Sequence, residues 1–289
     1  MEPATHQLAT DGASITYDIR GPLPPADGRP LLLMIAQPMT ADGFATLASH
    51  FTDRTVVTYD PRGLGRSTRD DGRTDNTPTT QAEDLHALVA HLASGPVDVF
   101  ASSGGAITAL AWVAAHPDDI ATLVAHEPPL LDVLPDADAA HRAFQGFRDA
   151  YDRNGMGAGM AQFIAMTSWQ GEFTDDYFAQ PPADPARFGM SADDDGSRDD
   201  PLLSESSATV PTFRPDFEAV TAAPTRVVVA VGVESKGSFT GRTAEGTARA
   251  LGQRPVEFPS HHGGFLGPEF GMAGEPEAFA AKLHEVLDD

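Results

Sequence analysis

Cysteine is absent from this 289-residue chain, and positive charge is scarce. The missing thiols exclude disulfide bonds, thiolate catalysis and cysteine-based metal sites. Lysine and arginine together number 19 against 42 aspartate and glutamate residues, which gives a formal net charge of −23. Because such a surface repels phosphate backbones and anionic lipid, neither nucleic acid nor a membrane is expected as a partner.

Long apolar runs are also lacking, since no run approaches the roughly 20 residues that a transmembrane helix needs. The N-terminal segment is polar and acidic, without the basic and apolar stretches of a secretory signal. We therefore expect a soluble cytoplasmic protein, either a monomer or a homodimer.

The chain does contain short apolar runs that alternate with helical patterns. Strands are predicted at 13–19, 31–36, 55–59, 97–101, 121–125, 226–231 and 255–258. Helices are predicted at 80–92, 105–116, 242–251 and 276–287. This alternation predicts an α/β fold, with a mainly parallel sheet that is covered by helices on both faces.

The alternation stops between residues 129 and 215, where only helical patterns occur, at 139–151 and 157–169. Strands resume after this block. We therefore predict a helical cap at 129–215, inserted into a core formed by 1–128 and 216–289. The cap should cover the carboxyl edge of the sheet, where open α/β sheets bind ligands.

The strongest chemical pattern is Ala-Ser-Ser-Gly-Gly at 101–105, between a predicted buried strand and a helix of small residues. A nucleophile elbow needs small residues two positions before and after its serine, because the turn is very tight. Ala101 and Gly105 meet this condition for Ser103, whereas Phe100 would violate it for Ser102. The alternative is a glycine-rich turn with a serine that has no role.

With the elbow in this context, the chain resembles the α/β-hydrolase superfamily over its whole length except the cap. The stretch 60–67, Asp-Pro-Arg-Gly-Leu-Gly-Arg-Ser, is similar to a glycine turn that these proteins carry before the elbow. We interpret it as structural. The resemblance implies an α/β-hydrolase fold of about eight strands and a capped, esterase-like enzyme whose nucleophile is serine.

The resemblance also implies a catalytic histidine after the last strand, just before a glycine or apolar pair. His262 fits this position better than its neighbour His261. The remaining histidines are expected to face solvent or to be satisfied in the core.

The acid of the implied triad is less clear, because serine stands at position 235 where family members commonly carry aspartate. Glu234 lies one residue earlier. Glu127 lies at the tip of another strand, a location that resembles the one used in some haloalkane dehalogenases. We favour Glu127 and keep Glu234 as the alternative.

An oxyanion hole needs two backbone N–H groups, of which the resemblance places one at Gly104. The other should follow the first buried strand. Pro38 has no N–H, so Met39 is the predicted donor, and the Gln37 side chain could add a contact. Six side chains could line an acyl pocket, or simply pack in the core: Met34, Met160, Phe163, Met166, Trp169 and Phe173.

These residues together favour hydrolysis of an ester, lactone or similar small carbonyl substrate that is neutral and partly apolar, through an acyl-enzyme on Ser103. Carbon–carbon bond hydrolysis, perhydrolysis and acyl transfer could use the same residues. A ligand-binding protein that has lost catalysis is the alternative from another class. No cofactor and no metal are expected, because the chain has no histidine motif with metal-ligand spacing.

Overall fold

The computed structural model describes residues 2–26, 28–271 and 273–289. Within these residues, nine strands form one mixed sheet in the order β1-β2-β4-β3-β6-β7-β8-β9, with the short β5 paired to β2. The strands are β1 (Ala4–Thr10), β2 (Ala13–Arg20), β3 (Leu32–Gln37), β4 (Val56–Tyr59), β5 (Thr68–Arg69), β6 (Val97–Ser103), β7 (Ile120–His126), β8 (Arg226–Gly232) and β9 (Val256–Phe258). β2 pairs antiparallel with β1, β4 and β5, and the pairings from β4 to β9 are parallel.

The mainly parallel sheet and all seven predicted strands are therefore confirmed. Two strands were not predicted. β1 is exposed along most of its length, so it lacks the apolar alternation that identifies a half-buried strand. β5 has only two residues, which is too short for any pattern.

The described residues form eight α-helices. They are α1 (Ala45–Ser49), α2 (Pro78–Leu92), α3 (Gly104–Ala115), α4 (Ala137–Ser168), α5 (Asp175–Phe178), α6 (Phe217–Ala222), α7 (Phe239–Ala250) and α8 (Pro276–Asp288). Among the described residues, no helix combines the length and the apolarity that a bilayer crossing requires.

The core consists of two layers because side chains of a strand alternate between its faces. In β3, Leu33 and Ile35 face the layer that contains α2, α3 and α6. Leu32 and Met34 face the opposite layer, which contains α1 and α8. Every side chain of β3 is buried, as expected for a strand covered on both sides.

The segment between β7 and β8 is helical, and residues 129–215 contain no strand. We call these residues the helical segment. Its long helix α4 is interrupted at Gly155, whose φ of 82° and ψ of −172° are not helical. The sequence patterns had separated two helices at this point. Phe144, Phe147 and Tyr151 of α4 belong to a separate apolar cluster, within which Phe239 of α7 also packs.

Candidate active site

Ser103 lies at the turn where β6 ends and α3 begins. Its φ of 55° and ψ of −131° are a strained conformation for a residue with a side chain. A Cβ atom at Gly105 would lie 2.6 Å from the Cα of Ala36 on β3. The close approach of α3 to β3 explains why the position two residues after Ser103 must be glycine.

The strand register brings the predicted residues together at the carboxyl edge of the sheet. Gln37 at the end of β3 pairs with Ser103 at the end of β6, and Ser102 pairs with His126 on β7. His126 in turn pairs with Ala230 on β8. Residues separated by more than a hundred positions therefore meet because parallel strands end at the same edge.

Glu127 follows β7 and contacts His262 directly. Its Oε2 lies 2.7 Å from Nδ1 of His262, and its Oε1 accepts a hydrogen bond of 2.8 Å from the Gly232 N–H. The Glu127 side chain is 0% exposed, whereas that of His262 is 39% exposed. At Gly232, a Cβ atom would lie 2.6 Å from the carbonyl oxygen of Ser260, so only glycine lets its N–H reach the carboxylate.

Burial alone would raise the pKa of the Glu127 carboxyl. The hydrogen bond from His262, the nearby imidazoles and a hydrogen bond from the Ser235 hydroxyl reverse this effect, and the pKa lies well below its ordinary value. Glu127 is therefore a carboxylate at neutral pH. Ser235, at the position where family members carry aspartate, is buried and supports this carboxylate.

The alternative acid, Glu234, is placed differently. Its side chain is exposed, and its backbone N–H donates to the Ser260 carbonyl at 3.0 Å. The alternative base, His261, uses its Nδ1 to accept a hydrogen bond of 3.0 Å from the Gly263 N–H. The carboxylate that contacts His262 is thus that of Glu127, directly after β7.

Two residues of this site were missed by the sequence analysis, Ser102 and His126. His126 is 0% exposed, its Nδ1 lies 3.0 Å from Ser102 Oγ, and its ring stacks on that of His262 at 5.8 Å between centroids. Burial lowers the pKa of His126 to about 4. Its Nε2 has no hydrogen-bond partner within the described residues and lies 3.9 Å from Glu127 Oε1.

The expectation that the remaining histidines are exposed or satisfied is therefore wrong for His126. The sequence did contain a signal for a buried polar pair, since a histidine and then a glutamate follow the apolar part of β7. Burying two polar side chains costs free energy unless they contact polar partners, so such a pair indicates a site.

The glycine turn at 60–67 holds the loop that follows β3. Asp60 accepts hydrogen bonds from the Ala41 N–H at 2.9 Å and from the Arg66 N–H at 2.8 Å. Asp60 is 2% exposed, and burial by itself would raise its pKa, but Arg66 and these N–H groups lower it. The turn does not line the cavity described below, in keeping with a structural role.

Ser103 and His262 line a common cavity of about 330 Å³. Its lining is largely apolar, and two parts of the chain contribute to it. The core contributes Ala36, Gln37, Pro38, Met39, Ser102, Ser103, His262, Gly263, Phe265, Leu266 and Phe270, and the helical segment contributes Met160, Asp200, Pro201 and Leu202.

The two predicted oxyanion donors lie at this cavity or beside it. Met39 lines the cavity. Gly104 follows Ser103 and packs close to β3, since a Cβ atom at this position would lie 3.0 Å from the Gln37 carbonyl oxygen. The Gln37 side-chain oxygen accepts a hydrogen bond of 2.5 Å from Gln81 Nε2. This bond anchors Gln37 under the cavity.

Of the six side chains considered for an acyl pocket, only Met160 lines this cavity. Met34 lies in the core beneath the sheet, and Met166 and Phe173 are buried within the helical segment. A separate depression of about 480 Å³ lies wholly within the helical segment and is lined by Trp169. It contains neither Ser103 nor His262, so the chemistry does not belong there.

The fold and the site define the class of protein. A sequence profile of the family described as "alpha/beta hydrolase fold" matches residues 29–182, which is more than half of the chain. The chain belongs to this family, and it is a hydrolase of the α/β-hydrolase type.

Individual proteins agree with this assignment. A Bacillus subtilis (strain 168) protein named "Uncharacterized hydrolase YraK" is 28% identical over 286 residues, which cover 97% of this chain and 95% of that protein. A thermophilic esterase from Thermogutta terrifontis has a TM-score of 0.60 at 21% identity, covering 100% of this chain and 98% of its own. An enol-lactonase from Burkholderia xenovorans LB400 has a TM-score of 0.63 at 18% identity, covering 98% of this chain and all of its own.

Proposed function

We propose that the protein is a serine hydrolase that cleaves small neutral esters or lactones through an acyl-enzyme on Ser103. The observation that carries the proposal is the 2.7 Å contact between Glu127 and His262, beside a strained Ser103 that lines the same cavity. These are the three groups that nucleophilic acyl transfer requires, namely a nucleophile, a base and a carboxylate that orients the base.

In the proposed reaction, Glu127 holds Nδ1–H of His262, which leaves Nε2 as the basic nitrogen. His262 Nε2 removes the Ser103 proton while Oγ attacks the substrate carbonyl carbon. The resulting oxyanion is stabilised by the N–H groups of Met39 and Gly104. His262 then gives the proton to the leaving alkoxide, and a water molecule, deprotonated by the same nitrogen, hydrolyses the acyl-enzyme to the acid and free Ser103.

The cavity supports a small, partly apolar acyl group. Its volume lies at the lower end of the range of ligand pockets, and Met39, Phe265 and Leu266 supply apolar lining. Asp200 at the same cavity and the net charge of −23 disfavour anionic substrates. The printed names of the esterase and the enol-lactonase agree with this substrate class.

We further propose that the helical segment acts as a cap over the core. Met160 and Leu202 reach the cavity from above the carboxyl edge, where they would exclude water from the acyl-enzyme. Residues 1–128 and 216–289 would then form the catalytic core.

The test compares two adjacent serines with p-nitrophenyl acetate and butyrate as substrates. We expect S103A to abolish turnover while its melting temperature stays close to that of the wild type. S102A is the matched control, because it removes the hydrogen bond to His126 but not the nucleophile. It should retain most of the turnover at a modest loss of stability.

Two outcomes would refute the proposal. Turnover that persists in S103A would require a different nucleophile. A wild-type protein that binds esters without cleaving them would favour a non-catalytic binding protein. If instead a carbon–carbon bond or an acyl acceptor other than water is the better substrate, Ser103 remains the nucleophile and the substrate class is wrong.

A further inference from the structure

Two histidines and an aspartate meet outside the cavity, on the surface formed by α2, α3 and the turn before β7. They are His86 on α2, His116 at the C-terminal cap of α3 and Asp119 in the turn. One potential ligand atom from each residue lies within 4.8 Å of those of the other two. We call these three residues the surface triad.

The side chains of the surface triad already contact one another. His86 Nδ1 lies 2.7 Å from Asp119 Oδ2. The rings of His86 and His116 are stacked, with centroids 3.7 Å apart and planes 7° from parallel. Neutral imidazole is the form that binds metal ions, so the two rings would bind an ion as neutral ligands.

Glu83 on α2 offers a fourth ligand, a carboxylate oxygen. Its Oε1 lies 3.1 Å from Nε2 of His116, and its side chain is exposed enough to move. Two nitrogens and one or two carboxylate oxygens are a ligand set that suits Zn²⁺ and related divalent ions.

A second group of contacts fixes the carboxylate. Trp112 is 0% exposed, and its Nε1–H donates to Asp119 Oδ2 at 2.7 Å. The Asp119 N–H also donates to the His116 carbonyl oxygen at 3.2 Å. In known metal sites, hydrogen bonds from residues that do not bind the metal orient the ligating side chains in this way.

Admitting an ion requires the side chains to rearrange, because the lone pairs of imidazole lie in the ring planes and the two planes are nearly parallel. Tetrahedral Zn²⁺ bonds of about 2.0–2.2 Å place neighbouring ligand atoms roughly 3.4 Å apart. The contact between His86 and Asp119 would widen by about 0.7 Å, and the imidazole planes would tilt towards each other. Both histidines are partly exposed and Asp119 is held by Trp112, so the histidines would make most of the adjustment.

We propose that His86, His116 and Asp119 bind one divalent transition-metal ion, with Zn²⁺ as the representative and Glu83 as a further ligand. The ion would join α2 to α3 and would stabilise the fold without entering the reaction. Ser103 precedes the other end of α3, a helix of 12 residues, which corresponds to about 18 Å. These ligands are spread over 34 residues without a recognised spacing, so no sequence motif marks the site.

The test uses the full chain without an affinity tag, titrated with ZnCl₂ by calorimetry and followed by thermal melting. We expect one Zn²⁺ per chain and a rise in Tm of about 5–10 °C at an ion concentration 100 times the Kd. H86A and H116A should each weaken binding by at least about 10-fold and remove most of the rise. If either variant fails to fold, H86Q or H116Q replaces it.

The matched control is H141A. His141 Nε2 lies 2.6 Å from Asp132 Oδ1, so it forms a histidine–carboxylate pair outside the triad. H141A should bind Zn²⁺ as tightly as the wild type. The proposal is overturned if Zn²⁺ does not bind saturably at millimolar concentration, or if binding survives both H86A and H116A. Binding that is lost instead in H262A would place the ion at the catalytic histidine and would equally overturn it.

Discussion

Replacing Glu127 by glutamine exchanges one carboxylate oxygen for an NH₂ group, next to Nδ1 of His262. The side chain is 0% exposed and lies between His262 Nδ1 at 2.7 Å and the Gly232 N–H at 2.8 Å. Glutamine can keep its carbonyl oxygen on only one of these two donors. If Gly232 keeps the oxygen, the amide NH₂ faces His262 Nδ1, which must then give up its hydrogen.

That rearrangement places the hydrogen on Nε2 of His262, the nitrogen that must accept the Ser103 proton. In serine proteases, the equivalent aspartate-to-asparagine change lowers kcat by roughly 10⁴-fold through the wrong tautomer. A 10⁴-fold loss corresponds to about 5.4 kcal/mol of activation free energy. We expect E127Q to lose kcat by about 10³- to 10⁴-fold on p-nitrophenyl butyrate.

The control is E234Q, because Glu234 is exposed and donates only its backbone N–H to this region. Its kcat should stay within about twofold of the wild type, in line with the small effects of surface substitutions. Stopped-flow measurement of kcat at pH 8, with circular dichroism to verify folding, makes the comparison. Equal and mild effects of the two variants would refute the assignment of Glu127 as the triad acid.

Two further predictions concern the surroundings of Glu127. Because the buried Ser235 helps to lower the pKa of the Glu127 carboxyl, its side chain lies near that carboxylate, and an aspartate at 235 should reach His262 when residue 127 is glutamine. S235D/E127Q should therefore recover kcat at least about tenfold over E127Q; no gain over the single variant would contradict this. Burial lowers the pKa of His126 from 6.5 to about 4. Between these pH values His126 is protonated in the unfolded chain but neutral in the folded protein, so stability falls as the pH is lowered through this range. Urea unfolding should show about 3 kcal/mol less stability at pH 4 than at pH 7 from this group, a loss that H126N lacks; identical pH profiles for the two proteins would contradict it.

The elbow and the parallel sheet could be predicted from sequence because their causes are local. The conformation of Ser103 demands small neighbours at 101 and 105, and that demand is visible in five residues. Buried parallel strands are apolar on both faces, and 31–36 and 227–231 show this directly.

The partner of His262 could not be settled in the same way. Glu127 and His262 are 135 positions apart, and only the register of β7, β8 and β9 brings them to one edge. Both Glu127 and Glu234 follow strands of that edge, so the sequence left two candidates. The deciding physical fact is that Gly232 and Ser235 orient towards the Glu127 carboxylate, while the Glu234 side chain faces solvent.

The lining of the cavity could not be predicted from the sequence. Hydrophobicity cannot separate a side chain that lines a cavity from one that packs in the core, since both avoid water. Met34 and Met160 are equal on that criterion, yet only Met160 reaches the cavity. Phe265 and Leu266, three and four residues after His262, line it without having been considered.

The central claim is that Ser103 is the nucleophile, and covalent labelling tests it most directly. The protein should be treated with an alkyl fluorophosphonate, digested and examined by mass spectrometry. We predict one phosphonate per chain, attached to Ser103, with no label in S103A and normal labelling in S102A. Label on a different residue, or none at high probe concentration in a protein that is folded, would contradict the account.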